Sequence, residues 1–185
     1  MAADKVKICS VASLLVGGND FGSFDEDLRE AKLSAALYDN TKSVLLMQNA
    51  WRFSLRQFQL SKLLAKPLYD FDFAYQVPND ALRISSAVGA ADFQIIGDKI
   101  YSNADNLMIT YQQDVSEQFF PPYFTRVLEL QMAAMLSIPL TEDKVKFQLW
   151  EEKARTELLK AKNVDSQSQT NLSLPPNTFW LTVVR

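Results

Sequence analysis

The most continuous hydrophobic pattern in the chain lies between residues 119 and 140. After Pro121-Pro122, apolar residues recur at helical spacing on two sides, and the narrow polar stripe consists of Arg126, Glu129 and Ser137. A helix that is apolar over most of its circumference is usually buried among other elements. Residues 123–140 are therefore predicted to form the central helix of a bundle, and they are too few and too interrupted to span a membrane.

Helical spacing of apolar residues also predicts three further helices, at residues 6–16, 25–50 and 142–162. Gly17-Gly18 is expected to end the first, because glycine readily adopts the left-handed conformation that terminates a helix. The pattern from Ser23 to Glu26 is typical of a capping box at the start of the second helix. Lysine and glutamate mix on the outer positions of the last helix, which indicates a solvated face with ion pairs.

The spacing of apolar residues changes from a helical to a strand-like period after Trp51-Arg-Phe53. Residues 53–64 are ambiguous, because their apolar positions fit neither period. Gly97-Asp98 between two strand-like runs predicts a hairpin. Residues 54–118 are therefore predicted to form a small antiparallel sheet inserted between helices. Its expected strands are 71–77, 82–84, 93–96, 99–101 and 107–112.

The character of the chain changes again at Asn163. Residues 165–170 offer no apolar side chain to bury, so they are not expected to fold by themselves. The apolar segment that follows is stiffened by Pro175-Pro176, and we predict that it docks on a partner, with Trp180 as the best anchor. The alternative, in which this arm folds back onto its own bundle, remains open. The predicted partner-binding residues are Leu172, Leu174, Phe179, Trp180 and Leu181.

Together these patterns predict an α+β fold. Residues 1–53 and 119–162 are expected to form an antiparallel helical bundle. Residues 54–118 are expected to form the β-rich insertion, and residues 163–185 an extended C-terminal arm.

The composition is mainly evidence against catalytic and metal-binding functions. The chain of 185 residues has no histidine, the commonest general base and metal ligand, and a single cysteine, Cys9, which cannot form an internal disulfide. No phosphate-loop, dinucleotide-binding, nucleophile-elbow or zinc-protease motif occurs. We therefore expect no enzymatic activity, no cofactor and no metal requirement. Asp4, Lys5 and Lys7 precede a short mixed segment unlike a secretory signal, which favours a product made in the cytoplasm.

Charge is concentrated in the predicted sheet segment. The whole chain has a formal net charge of −3, so the net charge does not indicate a basic surface for binding nucleic acid. Residues 54–118 contain eight acidic and five basic residues, which accounts for the same net value. Several of these aspartates are turn formers, which explains them equally well without a function.

The order of the features resembles the podovirus tail tubular protein A family, the ring-forming adaptors between the portal and the tail nozzle. The resemblance covers roughly residues 10–162. It is carried by a helix ending in Trp51-Arg-Phe53, then by Phe73-Ala-Tyr-Gln-Val-Pro-Asn-Asp-Ala-Leu-Arg83, Lys99-Ile-Tyr-Ser-Asn103, Leu107-Met-Ile-Thr-Tyr111 and Phe119-Phe-Pro-Pro-Tyr-Phe124.

This resemblance implies a structural virion protein, made in the host cytoplasm and located at the head–tail junction of a short-tailed phage. It implies a dodecameric ring that contacts the portal and the nozzle and surrounds passing double-stranded DNA without sequence-specific binding, with no membrane contact and no catalysis. Acidic residues would then line or border the passage, where repulsion between carboxylates and phosphates prevents DNA from binding. The candidates are Asp80, Asp92, Asp98 and Asp105. A small soluble binding or regulatory module that docks through its C-terminal arm is the alternative.

Overall fold

The computed structural model describes residues 4–65, 67, 70–89 and 92–167. Within them the fold is α+β, as predicted, with four helices that form a bundle and two small antiparallel sheets of three strands each. The helices are α1 (Lys5–Val16), α2 (Arg29–Met47), α3 (Pro122–Thr141) and α4 (Lys144–Gln167). The strands are β1 (Leu55–Gln59), β2 (Phe73–Gln76), β3 (Ala81–Val88), β4 (Phe93–Ile96), β5 (Lys99–Ser102) and β6 (Met108–Gln113).

Helix α3 is central to the bundle, which confirms the prediction from its apolar circumference. It contacts α1, α2 and α4, and Phe124, Leu128 and Leu136 on it are fully buried. Pro122 lies in the first turn, where its missing N–H needs no partner. Glu142 ends the helix in the left-handed conformation, with its N–H bonded to the Ile138 carbonyl.

The predicted start of the second helix is wrong. The Glu26 carboxylate does accept the N–H of Ser23 at 3.0 Å, but it also accepts the N–H of Gly22 at 2.7 Å. These bonds close a local turn instead of opening a helix. Helix α2 begins only at Arg29, after Leu28 in an extended conformation, and it ends at Met47, three residues before the predicted end.

The predicted end of the last helix is also wrong. Helix α4 continues to Gln167, five residues beyond the predicted boundary, so residues 163–167 are helical and do not belong to an extended arm. Its start is close to the prediction, because the Asp143 carboxylate accepts the N–H groups of Val145 and Lys146 and caps the helix. The rest of the predicted arm, residues 168–185, lies outside the described residues.

The β region contains two sheets, where the sequence predicted one. The first has the strand order β1-β6-β3 and the second has the order β2-β5-β4. The hairpin of β4 and β5 forms as predicted, with Gly97 at φ 62° in the two-residue turn, a conformation that glycine adopts without strain. The ambiguous segment contains β1, which pairs with β6 over five residues from Leu55 opposite Gln112 to Gln59 opposite Met108.

A second, smaller hydrophobic core belongs to the β region and contains Tyr75, Ile100, Ile109 and Tyr111. The Gln112 side chain joins this region to the bundle, since its amide donates to the carbonyls of Leu46 at 2.6 Å and Asn49 at 2.9 Å. An aromatic cluster lies at the start of α3 and strengthens the same junction. Its members are Trp51, Phe53, Phe120, Tyr123 and Phe124.

Candidate interaction surface

An exposed row of apolar side chains lies on α4. The side of α4 that faces the bundle buries Ala154, Ala161 and Asp165. The opposite side presents Val145, Leu149, Thr156 and Leu159, which helical spacing aligns in one row with the exposed Glu152. The exposed fractions of its three apolar residues are 73% for Val145, 50% for Leu149 and 59% for Leu159. We call this row the α4 stripe, and such a face is typical of a surface that binds another protein.

A groove runs along one flank of the α4 stripe, between α4 and the helices α1 and α3. It encloses about 540 Å³, and its apolar lining includes Leu15, Leu130 and Trp150. Two ion pairs lie at its charged rim, Arg126 with Glu129 and Lys160 with Glu157, both at 3.2 Å, and Glu152 and Lys153 also line it. A ligand or partner in this groove would therefore meet an apolar floor with a rim of balanced charge.

A second groove follows the other flank of the α4 stripe and differs in chemistry. Its lining is rich in amides and charges, with Gln48, Gln131, Gln148 and Arg155. Amide side chains can donate and accept hydrogen bonds together, so they suit a polar protein surface. The α4 stripe thus has an apolar groove on one side and a polar groove on the other.

Two of the four predicted acidic residues are paired with cations. The Asp80 carboxylate accepts the hydroxyl of Tyr111 at 3.1 Å and lies 3.7 Å from the guanidinium of Arg56. Burial and this aspartate both raise the pKa of Tyr111, so its hydroxyl stays a proton donor. Asp105 forms an ion pair with Lys62. These two carboxylates therefore contribute little net charge to the surface.

The other two acidic residues lie at opposite ends of strand β4 in the β4–β5 hairpin. Asp92 directly precedes β4, and Asp98 lies in the turn that joins β4 to β5; both are exposed. The Asp98 carboxylate accepts the side-chain amide of Gln76 at 3.2 Å, which leaves its negative charge in place. The second sheet therefore carries an acidic hairpin, whereas Asp80 lies in the connection between β2 and β3.

A partly buried polar network, which the sequence did not reveal, joins α2 to the segment before α3. The ammonium group of Lys42 lies 2.9 Å from Asp114 and 3.3 Å from Glu117. The Tyr38 hydroxyl donates to the Glu117 carboxylate at 3.1 Å, and burial together with Glu117 raises the pKa of Tyr38 far above its usual range. Each charge here has a partner of opposite sign or a hydrogen bond, so the network stabilises the junction and is not poised for proton transfer.

The last turn of α4 is held by a second buried carboxylate. Asp165 is 3% exposed, and it accepts the hydroxyl of Tyr123 at 2.7 Å and the N–H of Arg52 at 3.2 Å. No local pattern around Asp165 indicates this role, because both partners are distant along the chain. The carboxylate places the end of α4 beside the residues that lead into β1.

The described part of the chain was also searched for metal sites and membrane-spanning helices. Across these residues no cluster of three or more cysteines and carboxylates is arranged to hold a metal ion. None of the described helices combines the length and apolar character needed to cross a membrane. The predicted partner-binding residues of the arm lie outside the described residues: Leu172, Leu174, Phe179, Trp180 and Leu181.

Comparison of the chain with protein-family models and with curated proteins gives no match.

Proposed function

We propose that this protein is a structural virion component, an adaptor subunit that forms a ring between the portal and the tail nozzle of a short-tailed phage and borders the DNA passage. The observation that carries the proposal is the α4 stripe. A subunit of a ring needs a surface that binds a different surface of the next copy. The stripe is an apolar, exposed face on the longest described helix, and it suits that role.

Burial of the α4 stripe would contribute to self-association. Complete burial of a valine or leucine side chain stabilises a complex by about 1.5–3 kcal/mol. Val145, Leu149 and Leu159 start from exposures of half or more, so each retains most of that gain for the contact. Part of this gain in free energy is offset by the entropy lost on association. Such contacts therefore form best where many copies meet on a template. A portal would supply that template.

The architecture also fits the family that the sequence resembles, in which a helical bundle carries a β domain facing the tail. The acidic hairpin with Asp92 and Asp98 suits a surface that DNA passes without binding, because phosphate affinity requires basic contacts. A soluble binding module is the second candidate, and the apolar groove beside Leu130 and Trp150 is the feature that favours it.

The proposal is tested by assembly with portal protein. We expect native mass spectrometry and electron microscopy to show this protein as a ring of rotational symmetry on portal complexes or at the neck of purified particles. A chain that never associates with portal and stays monomeric would contradict the proposal and favour the binding module.

Variants of α4 connect the assembly to the α4 stripe. Leu149→Glu together with Leu159→Glu should abolish ring formation, because two charges would have to be buried without partners. The matched control is Glu151→Lys, which changes an exposed charge on the same helix about 120° away from the stripe. Circular dichroism should show both variants folded. Rings that survive the double substitution would show that another surface joins the subunits.

A further inference from the structure

Strand β1 has a free edge in the described part of the chain. It pairs with β6 on one side, over five residues without a register shift, and no described strand pairs with its other side. The N–H of Leu60 donates to the Leu107 carbonyl, and successive N–H groups along a strand point to opposite sides. The N–H groups of Gln57 and Gln59 therefore point away from β6, toward the free edge.

The apolar face of the first sheet is also incomplete at this edge. Phe58 lies opposite Ile109, so the two side chains share one face of the sheet. Ile109 is buried in the core of the β region, whereas Phe58 is 43% exposed. One further strand beside β1 would place a side chain next to Phe58 and extend that core to the sheet edge.

Other edges of the two sheets suit an added strand less well. The register of β3 with β6 shifts at two points, and such bulges protect an edge against further pairing. Edge strands β2 and β4 of the second sheet are only four residues long. Strand β1 has neither a bulge nor a proline nor a glycine, and four of its five residues are exposed.

The chain leaves the described structure next to β1. Asp165 bonds to the N–H of Arg52, three residues before β1 begins, and α4 ends two residues after Asp165. Eighteen residues follow, 168–185. This exit point gives the C-terminal segment a high effective concentration at the β1 edge of its own subunit.

The final seven residues have the composition of a strand. Phe179-Trp-Leu-Thr-Val-Val-Arg185 contains three β-branched and two aromatic residues and neither proline nor glycine. The eleven residues before it can span up to about 36 Å when extended, whereas β1 is about 17 Å long. Pro175 and Pro176 fall in this connection, where missing N–H groups do not interrupt a ladder.

We infer that residues 179–185, instead of docking on a partner as the sequence predicts, pair with the free edge of β1 in the same subunit and form a fourth strand of the first sheet. Alternation then places Phe179, Leu181 and Val183 on one face and Trp180, Thr182 and Val184 on the other. One of these faces covers Phe58. The pairing needs one chain only, so it does not depend on ring formation and can be tested separately.

Amide hydrogen exchange, read by NMR, tests the pairing directly. In the full chain the N–H groups of Gln57 and Gln59 should exchange about tenfold or more slowly than in a chain that ends at Thr178. The N–H groups of Arg56 and Phe58, which face β6, serve as internal controls and should be equally protected in both chains. Equal exchange of Gln57 and Gln59 in the two chains would overturn the inference.

Dilution distinguishes the same subunit from a neighbour. Labelled full chain mixed with excess unlabelled chain ending at Thr178 should keep its protection at Gln57 and Gln59, because each β1 has its own segment. Loss of protection in the mixture would mean that the segment comes from another copy, which contradicts pairing within the subunit.

A proline at the free edge provides the second test. In the full chain, Gln57→Pro should remove one outward donor and lower the protection of Gln59 to that of the truncated chain, while Phe58 stays protected against β6. The control Gln57→Ala keeps the donor and should keep the protection of Gln59. Unchanged protection of Gln59 in Gln57→Pro would contradict the proposed ladder.

Discussion

The hydroxyl of Tyr123 donates a hydrogen bond of 2.7 Å to the carboxylate of Asp165 and so joins the first turn of α3 to the last turn of α4. The same carboxylate accepts the backbone N–H of Arg52. One buried side chain therefore holds three separate parts of the chain together. This explains why α4 continues through a stretch that has few apolar side chains of its own.

Replacement of Asp165 by alanine should destabilise the protein. The substitution leaves the Tyr123 hydroxyl and the Arg52 N–H without their acceptor in a buried site, which costs about 1–3 kcal/mol. Urea denaturation measures the loss. The control Gln167→Ala, two residues further along and exposed, should change the free energy of unfolding little. Equal stabilities of the two variants would show that the carboxylate does not hold the helix end.

Replacement of Leu128 by alanine should cost on the order of 2–5 kcal/mol in the free energy of unfolding, because the side chain is fully buried in the middle of α3. Met135→Ala on the same helix is the matched control, since Met135 is partly exposed and should cost much less. Chemical denaturation measures the free energy of unfolding of both variants. A loss below about 0.5 kcal/mol for Leu128→Ala would show that α3 is not the centre of the bundle.

Glu30 should make stability depend on pH. Its carboxylate accepts the backbone N–H of Asn19 at 3.1 Å and the side-chain amide of Asn19 at 3.0 Å, and these bonds lower the pKa of Glu30. A lowered folded-state pKa adds stability above the unfolded pKa of about 4.3, and that stability is lost as the pH falls through the folded value.

The test is denaturation of the natural chain and of Glu30→Gln between about pH 6 and pH 3. The natural chain should lose more stability on acidification than the variant, and the gap between them should be widest at pH 6. The exposed Glu151→Gln should follow the natural chain. Parallel curves for Glu30→Gln and the natural chain would rule out this carboxylate as a source of the pH dependence.

The thiol of Cys9 should be inert in the folded protein. It is fully buried, and this burial raises its pKa to about 12. Since the thiolate is the reactive form, a thiol reagent at pH 8 should label the native chain only as fast as it unfolds, and label it fully in denaturant. The exposed variant Leu14→Cys, made with Cys9→Ser, should react at once. Rapid labelling of native Cys9 would contradict the burial described here.

Features with a local signal could be predicted from the sequence. The proline pair before Tyr123 marks the start of α3, and Gly97 marks the turn of the β4–β5 hairpin. Both signals act through the backbone conformation of one or two residues, so they hold whatever the rest of the chain does. The predicted α+β class depended on signals of this kind.

Features decided by distant contacts could not be predicted. The partners of Asp165 are 42 and 113 residues away, so its segment looked like a polar linker. The bonds of Glu26 match a capping box, yet Phe24 and Leu28 pack against the bundle and the helix begins later. The division of the strands into two sheets likewise follows from long-range pairing, which alternation along one strand does not reveal. The α4 stripe could not be predicted either, because apolar residues occur on both sides of α4 and only packing against the bundle decides which side is buried.

The neighbouring position of β1 and β6 has a consequence for synthesis on the ribosome. The first strand of the β region cannot pair until the last one has emerged, and α1 and α2 cannot complete their core until α3 follows. The β4–β5 hairpin, whose partners are adjacent in sequence, is free to close early. Pairing between segments far apart in sequence slows folding and prolongs the exposure of apolar surface. The helical bundle therefore waits until its last helices leave the exit tunnel, whereas the β region can pair once β6 has emerged.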